Sequence, residues 1–114
     1  MKRTRIPAVT VFVLFAAAGV SLFARDRQDG PSALFKEYCA RCHGEDGTGN
    51  TPKGRQLMAR DFTDLEWRSA RSDADMIKAV ARGSENMPAF GKKLTPEEIE
   101  SLVKNDVRGF GKKK

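Results

Sequence analysis

Cys39-Ala40-Arg41-Cys42-His43 is the stretch on which the reading of this chain turns. Two cysteines three apart, with a histidine directly after them, form the attachment pattern of a c-type haem. On the end of a helix, residues three apart share a face, so both thiols can reach the two vinyl groups of one porphyrin. His43 then lies under the ring with its imidazole aimed at the iron, a proximal ligand supplied by the same segment. Cys39 and Cys42 are the only cysteines and His43 is the only histidine, so nothing competes for these roles. A bare C-x-x-C also fits a disulfide, a thioredoxin-like redox pair or half a zinc site. Zinc normally takes four protein ligands, more than the Cys and His residues present, and the βαβ patterning of a thioredoxin-like pair is absent. Haem attachment uses all three residues at once.

Working outward from the motif, a first helix is expected from about Ser32 to Cys42, with Ser32 as its N-cap. Leu34, Phe35, Tyr38, Cys39 and Cys42 fall on one stripe of it. Phe35, one turn before Cys39, suits either the haem edge or the plain core. Downstream, Gly44 to Gly54 holds four glycines with Asn50 and Pro52, and regular helix or strand is not expected there. Glycines let backbone hug a flat ligand without side-chain clashes. Pro52 has a free carbonyl that could accept a hydrogen bond from the His43 ring, fixing the imidazole and raising its basicity. An ordinary proline turn is the alternative.

Further along, Thr63-Asp64-Leu65-Glu66 fits a capping box opening a short helix that contains Trp67. Trp67 suits the core, but its N–H needs a partner, for which a haem propionate is one candidate. Ser72 to Arg82 reads as a helix with Ser72 as cap, Asp73 and Asp75 at its positive end, a Met76-Ile77-Val80 stripe, and Gly83 as terminator. A loop over Ser84 to Lys93 contains Met87-Pro88. Thr95-Pro96-Glu97-Glu98 then opens the last helix with a cap, a first-position proline and a capping-box glutamate. Its apolar face is Ile99, Leu102, Val103, Val107 and Phe110. No strand pattern or internal repeat is visible, so the fold class is all-α.

With no second histidine, a thioether is the natural soft donor for the other axial position on iron. Met1 is in the N-terminal segment and Met76 sits on a helical stripe. Met87 lies in a loop, pinned to extended geometry by Pro88, and is the expected ligand, with Met58 the alternative. The expected metal ligands are therefore His43 and Met87.

Cys39-x-x-Cys42-His43-Gly44, the glycine-rich loop to Pro52, Asn86-Met87-Pro88-Ala89-Phe90 and the terminal amphipathic helix together resemble a small class I monohaem cytochrome c. The chain is similar to the short bacterial and cytochrome c6-type members over about Ser32 to Phe110. The resemblance implies an all-α class I cytochrome c fold, its first and last helices packed across a covalently bound haem c. It further implies His/Met ligation, the Pro52 carbonyl on the His43 ring, and electron transfer between larger redox partners. The pattern departs at Asn105-Asp106, where members commonly place an aromatic residue. Val107 and Phe110, on the following turn, are the apolar residues available to fill that space.

The N-terminus reads as an address. Lys2, Arg3 and Arg5 precede an uncharged run from Ile6 to Ala24, the basic and apolar regions of an export signal. Ala16-Ala17-Ala18 offers a better cleavage site than Leu22-Phe23-Ala24. Left uncleaved, the run is about long enough to span a bilayer as an anchor. Residues 1–24 are thus a signal peptide or membrane anchor, 25–31 a linker, 32–110 the cytochrome domain and 111–114 a basic tail. Export would place the domain in the periplasm or on the outer face of the cytoplasmic membrane. A thiol pair in an exported chain must be used or it oxidises, and thioether bonds are one use.

Of the 114 residues, 39% are hydrophobic and 32% charged, within the range of one small soluble domain. The formal charge of +6 sits largely in the N-terminal basic residues and in Lys112 to Lys114. The remainder is close to neutral, which argues against a nucleic-acid partner. The leading function is an electron carrier, not an enzyme, shuttling between exported or membrane-bound redox proteins. Lys92 and Lys93, beside the Met87 loop, would steer an acidic partner or are simply a solvated pair. One alternative is a peroxidase or gas-binding haem protein, if Met87 leaves the iron. Another is a tethered haem subunit of a dehydrogenase or oxidase complex.

Overall fold

A computed structural model describes residues 30–111, together with Thr10 and Gly19. The export signal or anchor expected over 1–24, most of the linker and Lys112 to Lys114 lie outside the described residues. Among the described residues there is no strand, and no helix is long and apolar enough to cross a membrane.

The expected first helix is present but divided. α1 spans Ala33–Tyr38 and α2 spans Ala40–His43. Ser32 caps α1, its hydroxyl accepting from the Phe35 N–H at 3.1 Å. The break falls at Cys39, whose φ of −116° leaves the helical range. α3 covers Pro52–Leu57, so the last residues of the glycine-rich segment are helical, against expectation. The cause is local: the Thr51 hydroxyl accepts from the Gly54 N–H, and Pro52 sits where a missing N–H costs nothing. Gly54 is required where α3 crosses α2, because a Cβ there would collide with the carbonyl oxygens of Cys42 and Gly49.

α4, Leu65–Ser69, is capped by Asp64 and not by Thr63, since the Asp64 carboxylate accepts from both Glu66 and Trp67 N–H groups. Thr63 instead donates its hydroxyl to Asp61. α5, Asp73–Arg82, and α6, Pro96–Ser101, begin in complete capping boxes, Ser72 with Asp75 and Thr95 with Glu98. After α6 the chain widens into one π-helical turn over Leu102–Asp106, then tightens through Val107–Gly109.

Phe35, at 1% exposure, is the centre of the core, which also includes Phe62, Met76, Leu94, Ile99, Leu102 and Val103. Burying one such ring is worth about 2–3 kcal/mol relative to leaving it in water. Phe35 packs against Phe62 and Phe110 with ring centroids 6.3 and 5.1 Å away, so its part is core packing. The C-terminal end is held by an exchange of arginines. Buried Arg68 donates to the carbonyls of Arg108 and Phe110. Arg108 donates back to the carbonyls of Arg68 and Arg71 and to the Asp73 carboxylate.

Candidate haem site

The break at Cys39 sets the geometry of the motif. Cys39 stands at the joint, Cys42 inside the short second helix and His43 at its last position. Both thiols are free and half-buried, and both line a cleft of about 340 Å³. His43, Met58, Met87, Tyr38 and Phe90 complete much of its wall. A second cavity of about 240 Å³ lies against Trp67, Met76 and Val103. His43, Arg60, Ser84 and Met87 border both, so the two cavities meet between the histidine and the loop methionine.

His43 is buried, at 8% exposure. Burial pushes its pKa below the ordinary histidine value, and the hydrogen bond to the Arg60 carbonyl opposes this in part. The neutral ring is the form that binds iron. Nδ1 lies 3.1 Å from the Arg60 carbonyl oxygen. A carbonyl only accepts, so Nδ1 donates and Nε2 is left free to ligate. The acceptor is thus Arg60 and not Pro52. Pro52 is exposed at the first position of α3 and lines neither cavity. Its carbonyl belongs to a helix beginning at that residue.

The Arg60 carbonyl is brought to the ring by a close crossing of two loops. Gly49, at φ +73°, passes so near Ala59 and Arg60 that a Cβ would lie 2.7 Å from the Ala59 oxygen. The Phe62 N–H donates to the Gly47 carbonyl at 2.7 Å and fixes the same crossing. Phe62 then stacks on the imidazole, with centroids 4.2 Å apart and planes 18° apart.

Across the cleft, Met87 sits in a loop closed by paired bonds between Ser84 and Met87 backbone groups, at 2.9 and 3.3 Å. Met87 is half-buried and borders both cavities. Met58 borders only the first, is 75% exposed and has φ of +54°, a left-handed conformation unusual outside glycine. Cys39, Cys42, His43 and Met87 are therefore gathered into one cleft, and Pro52 is left out.

Two features test the fit of a haem. Trp67 Nε1 is a buried donor without a protein partner at the second cavity, which a propionate oxygen would satisfy. Burial, helped by the Asp106 carboxylate and by Cys42, pushes the Cys39 thiol up to about 11. That thiol stands on a mainly apolar cleft that it shares with Cys42 and His43.

Residues 26–104 match the family described as Cytochrome C oxidase, cbb3-type, subunit III. The chain is 36% identical over 105 residues to cytochrome c6 of Gloeothece citriformis, covering 90% of both proteins. This chain belongs to the small monohaem class I c-type cytochromes. The cytochrome is also 34% identical over 71 residues to the cbb3-type cytochrome c oxidase subunit FixP of Azorhizobium caulinodans, covering 61% of this chain but only 23% of that subunit. Among solved structures, the KustC0563 c-type cytochrome superposes with a TM-score of 0.65 at 44% identity, covering 69% of this chain and 94% of that one. Members of this family bind haem c covalently, and the cleft of this cytochrome offers two thiols, one imidazole and a facing thioether to it.

Sequence reasoning missed two contributors. The Arg60 carbonyl is a backbone group, and residue type does not mark it. Phe62 was findable only as an apolar residue shortly after the motif, with nothing to separate it from the other core rings.

Proposed function

We propose that this cytochrome is a one-electron carrier in which Cys39 and Cys42 hold the haem and His43 and Met87 bind its iron. When bound, haem iron supplies a ferrous/ferric couple, and an axial thioether favours the reduced state relative to two histidines. The observation supporting the reading is that His43 and Met87 border both cavities, with the two cysteines on the same cleft. His43 is held neutral by burial and oriented by the Arg60 carbonyl. Met87 is constrained by its Ser84 backbone pair and by Pro88, so little rearrangement is needed between redox states. Among the described residues no second histidine stands on the Met87 side to assist peroxide chemistry, and the chain is read as catalysing nothing alone.

The partners are read as larger redox proteins, met outside the cytoplasm after export by residues 1–24. Lys92 and Lys93 are exposed beside the Met87 loop, and Lys93 lies 6.0 Å from the Phe90 ring on the cleft wall. Charges so placed favour an acidic surface on the partner. An optical spectrum with and without carbon monoxide tests the carrier reading. A carrier keeps six-coordinate iron and ignores the gas; ready binding would move the assignment to a gas-binding or peroxide-using protein.

The match to an oxidase subunit family supports a second reading, a haem subunit tethered to a membrane complex. Fractionation separates the two: a free carrier is found in the soluble exported fraction, a tethered subunit with membranes.

A further inference from the structure

We infer that Phe62 is a positioning residue for the haem ligand, setting the plane of the His43 imidazole. An imidazole bound through one nitrogen is free to rotate about the metal–nitrogen bond unless its faces or its other nitrogen are constrained. Here both constraints come from one short segment. The Arg60 carbonyl takes the Nδ1 proton at 3.1 Å. Two residues later, the Phe62 ring lies on the imidazole face at 4.2 Å and 18°.

Phe62 is itself held in place. It is buried at 7% exposure, and its backbone N–H is fixed to Gly47. Phe35, Trp67 and Phe110 pack around its ring with centroids 6.3, 5.6 and 6.2 Å away. A rigid aromatic face therefore lies parallel to the ligand ring and resists its rotation. Of these four aromatic residues only Phe62 is stacked on His43. This separates it from Phe35, which is more deeply buried and pairs with the rings of Phe62 and Phe110.

Two effects follow. The imidazole plane fixes the orientation of the iron orbital holding the unpaired electron in the ferric state. The held plane also keeps Nδ1 aligned with its acceptor, which maintains ligand basicity and so lowers the reduction potential.

The inference rests on His43 as an axial ligand, and the experiment separates the two. Haem-loaded protein is prepared as the native chain and as Phe62→Leu, Phe62→Met, Phe62→Tyr and Phe35→Leu. Ferric proton NMR then gives the order and spread of the four haem methyl shifts, alongside the reduction potential. Phe62→Leu or Phe62→Met, whichever holds haem, is expected to change the methyl order and raise the potential. Phe62→Tyr should restore both, and Phe35→Leu should lose stability with the native pattern kept. A native pattern and potential in the ringless Phe62 variants would overturn the inference, as would loss of haem in both, which would make Phe62 simply a residue that holds the fold. If the native protein itself shows no histidine ligation, the reading of the site fails first.

Discussion

Ser32 gives both its backbone N–H and its hydroxyl to the two carboxylate oxygens of Asp106, at 2.7 and 2.8 Å, across 74 residues of chain. The same hydroxyl accepts from the Phe35 N–H and so caps α1. Asp106 is buried at 7% exposure at the end of the π-helical turn. There the Val107 N–H reaches back to the carbonyls of Leu102 and Val103. The first and last helical segments are thus joined by a carboxylate at the place where an aromatic contact is common in the family.

Asp106→Ala should destabilise the haem-loaded protein by about 2–4 kcal/mol, because two part-buried donors lose a charged acceptor. Ser32→Ala should cost about 1–2 kcal/mol, since the backbone N–H bond to Asp106 survives while the cap is lost. Guanidinium unfolding followed at the haem band measures both. Losses below about 0.5 kcal/mol in each would show that the clamp is an ornament.

Covalent attachment is tested by acid–acetone extraction of protein made with a haem maturation system. Native protein should retain its haem through extraction, and Cys39→Ser with Cys42→Ser should release all of it. Free extraction from the native chain would remove the basis of the site.

The sixth ligand is decided by two methionine variants. Met87→Ala should abolish the weak ferric sulfur-to-iron charge-transfer band, lower the reduction potential and admit carbon monoxide. Met58→Leu should do none of these, as Met58 borders only the first cavity and is 75% exposed. The opposite pattern would transfer the ligand role to Met58.

Acid sensitivity is expected at the start of α5. Hydrogen bonds from the Ser72 hydroxyl and N–H hold the Asp75 carboxyl below the ordinary aspartate range. A carboxyl whose pKa falls on folding adds stability above its unfolded value and loses it as pH drops through the folded one. Asp75→Asn should therefore melt below the native protein at pH 7, with the difference closing as pH falls below about 4. Thermal melts across that window check the sign. A gap that widens in acid would contradict the capping-box account.

Much of the fold is legible from residues that speak locally. Ser32, Ser72 and Thr95 announce helix starts because a side-chain oxygen followed by a free N–H is a short-range signal. The haem motif is equally local, and Cys39, Cys42, His43 and Met87 do share one cleft. Residues whose role depends on distant partners are harder to read. Asp106 stands where the family pattern commonly has an aromatic residue, and only its distant partner Ser32 shows what it does. The acceptor for His43 is expected at Pro52 from its free carbonyl and from the family resemblance. The Arg60 carbonyl wins because Gly49 allows its loop to approach, a tertiary event with no sequence mark at residue 60. Thr63 is the expected cap of α4, but its hydroxyl is engaged by Asp61, and the Asp64 carboxylate with two N–H partners caps the helix instead.

The arginine exchange between Arg68 and Arg108, with Phe110 drawn in by its carbonyl, has a consequence in time. Synthesis runs from the N-terminus, so the haem motif emerges some seventy residues before the groups that close the domain over it. Until Asp106, Arg108 and Phe110 are present, the domain lacks the ties from Ser32 to Asp106 and from Arg68 to Phe110. The burial and the Asp106 carboxylate that push the Cys39 thiol up to about 11 are therefore complete only in the closed fold. A protonated thiol is the less reactive form, so the last residues of the domain shield Cys39 as they close it.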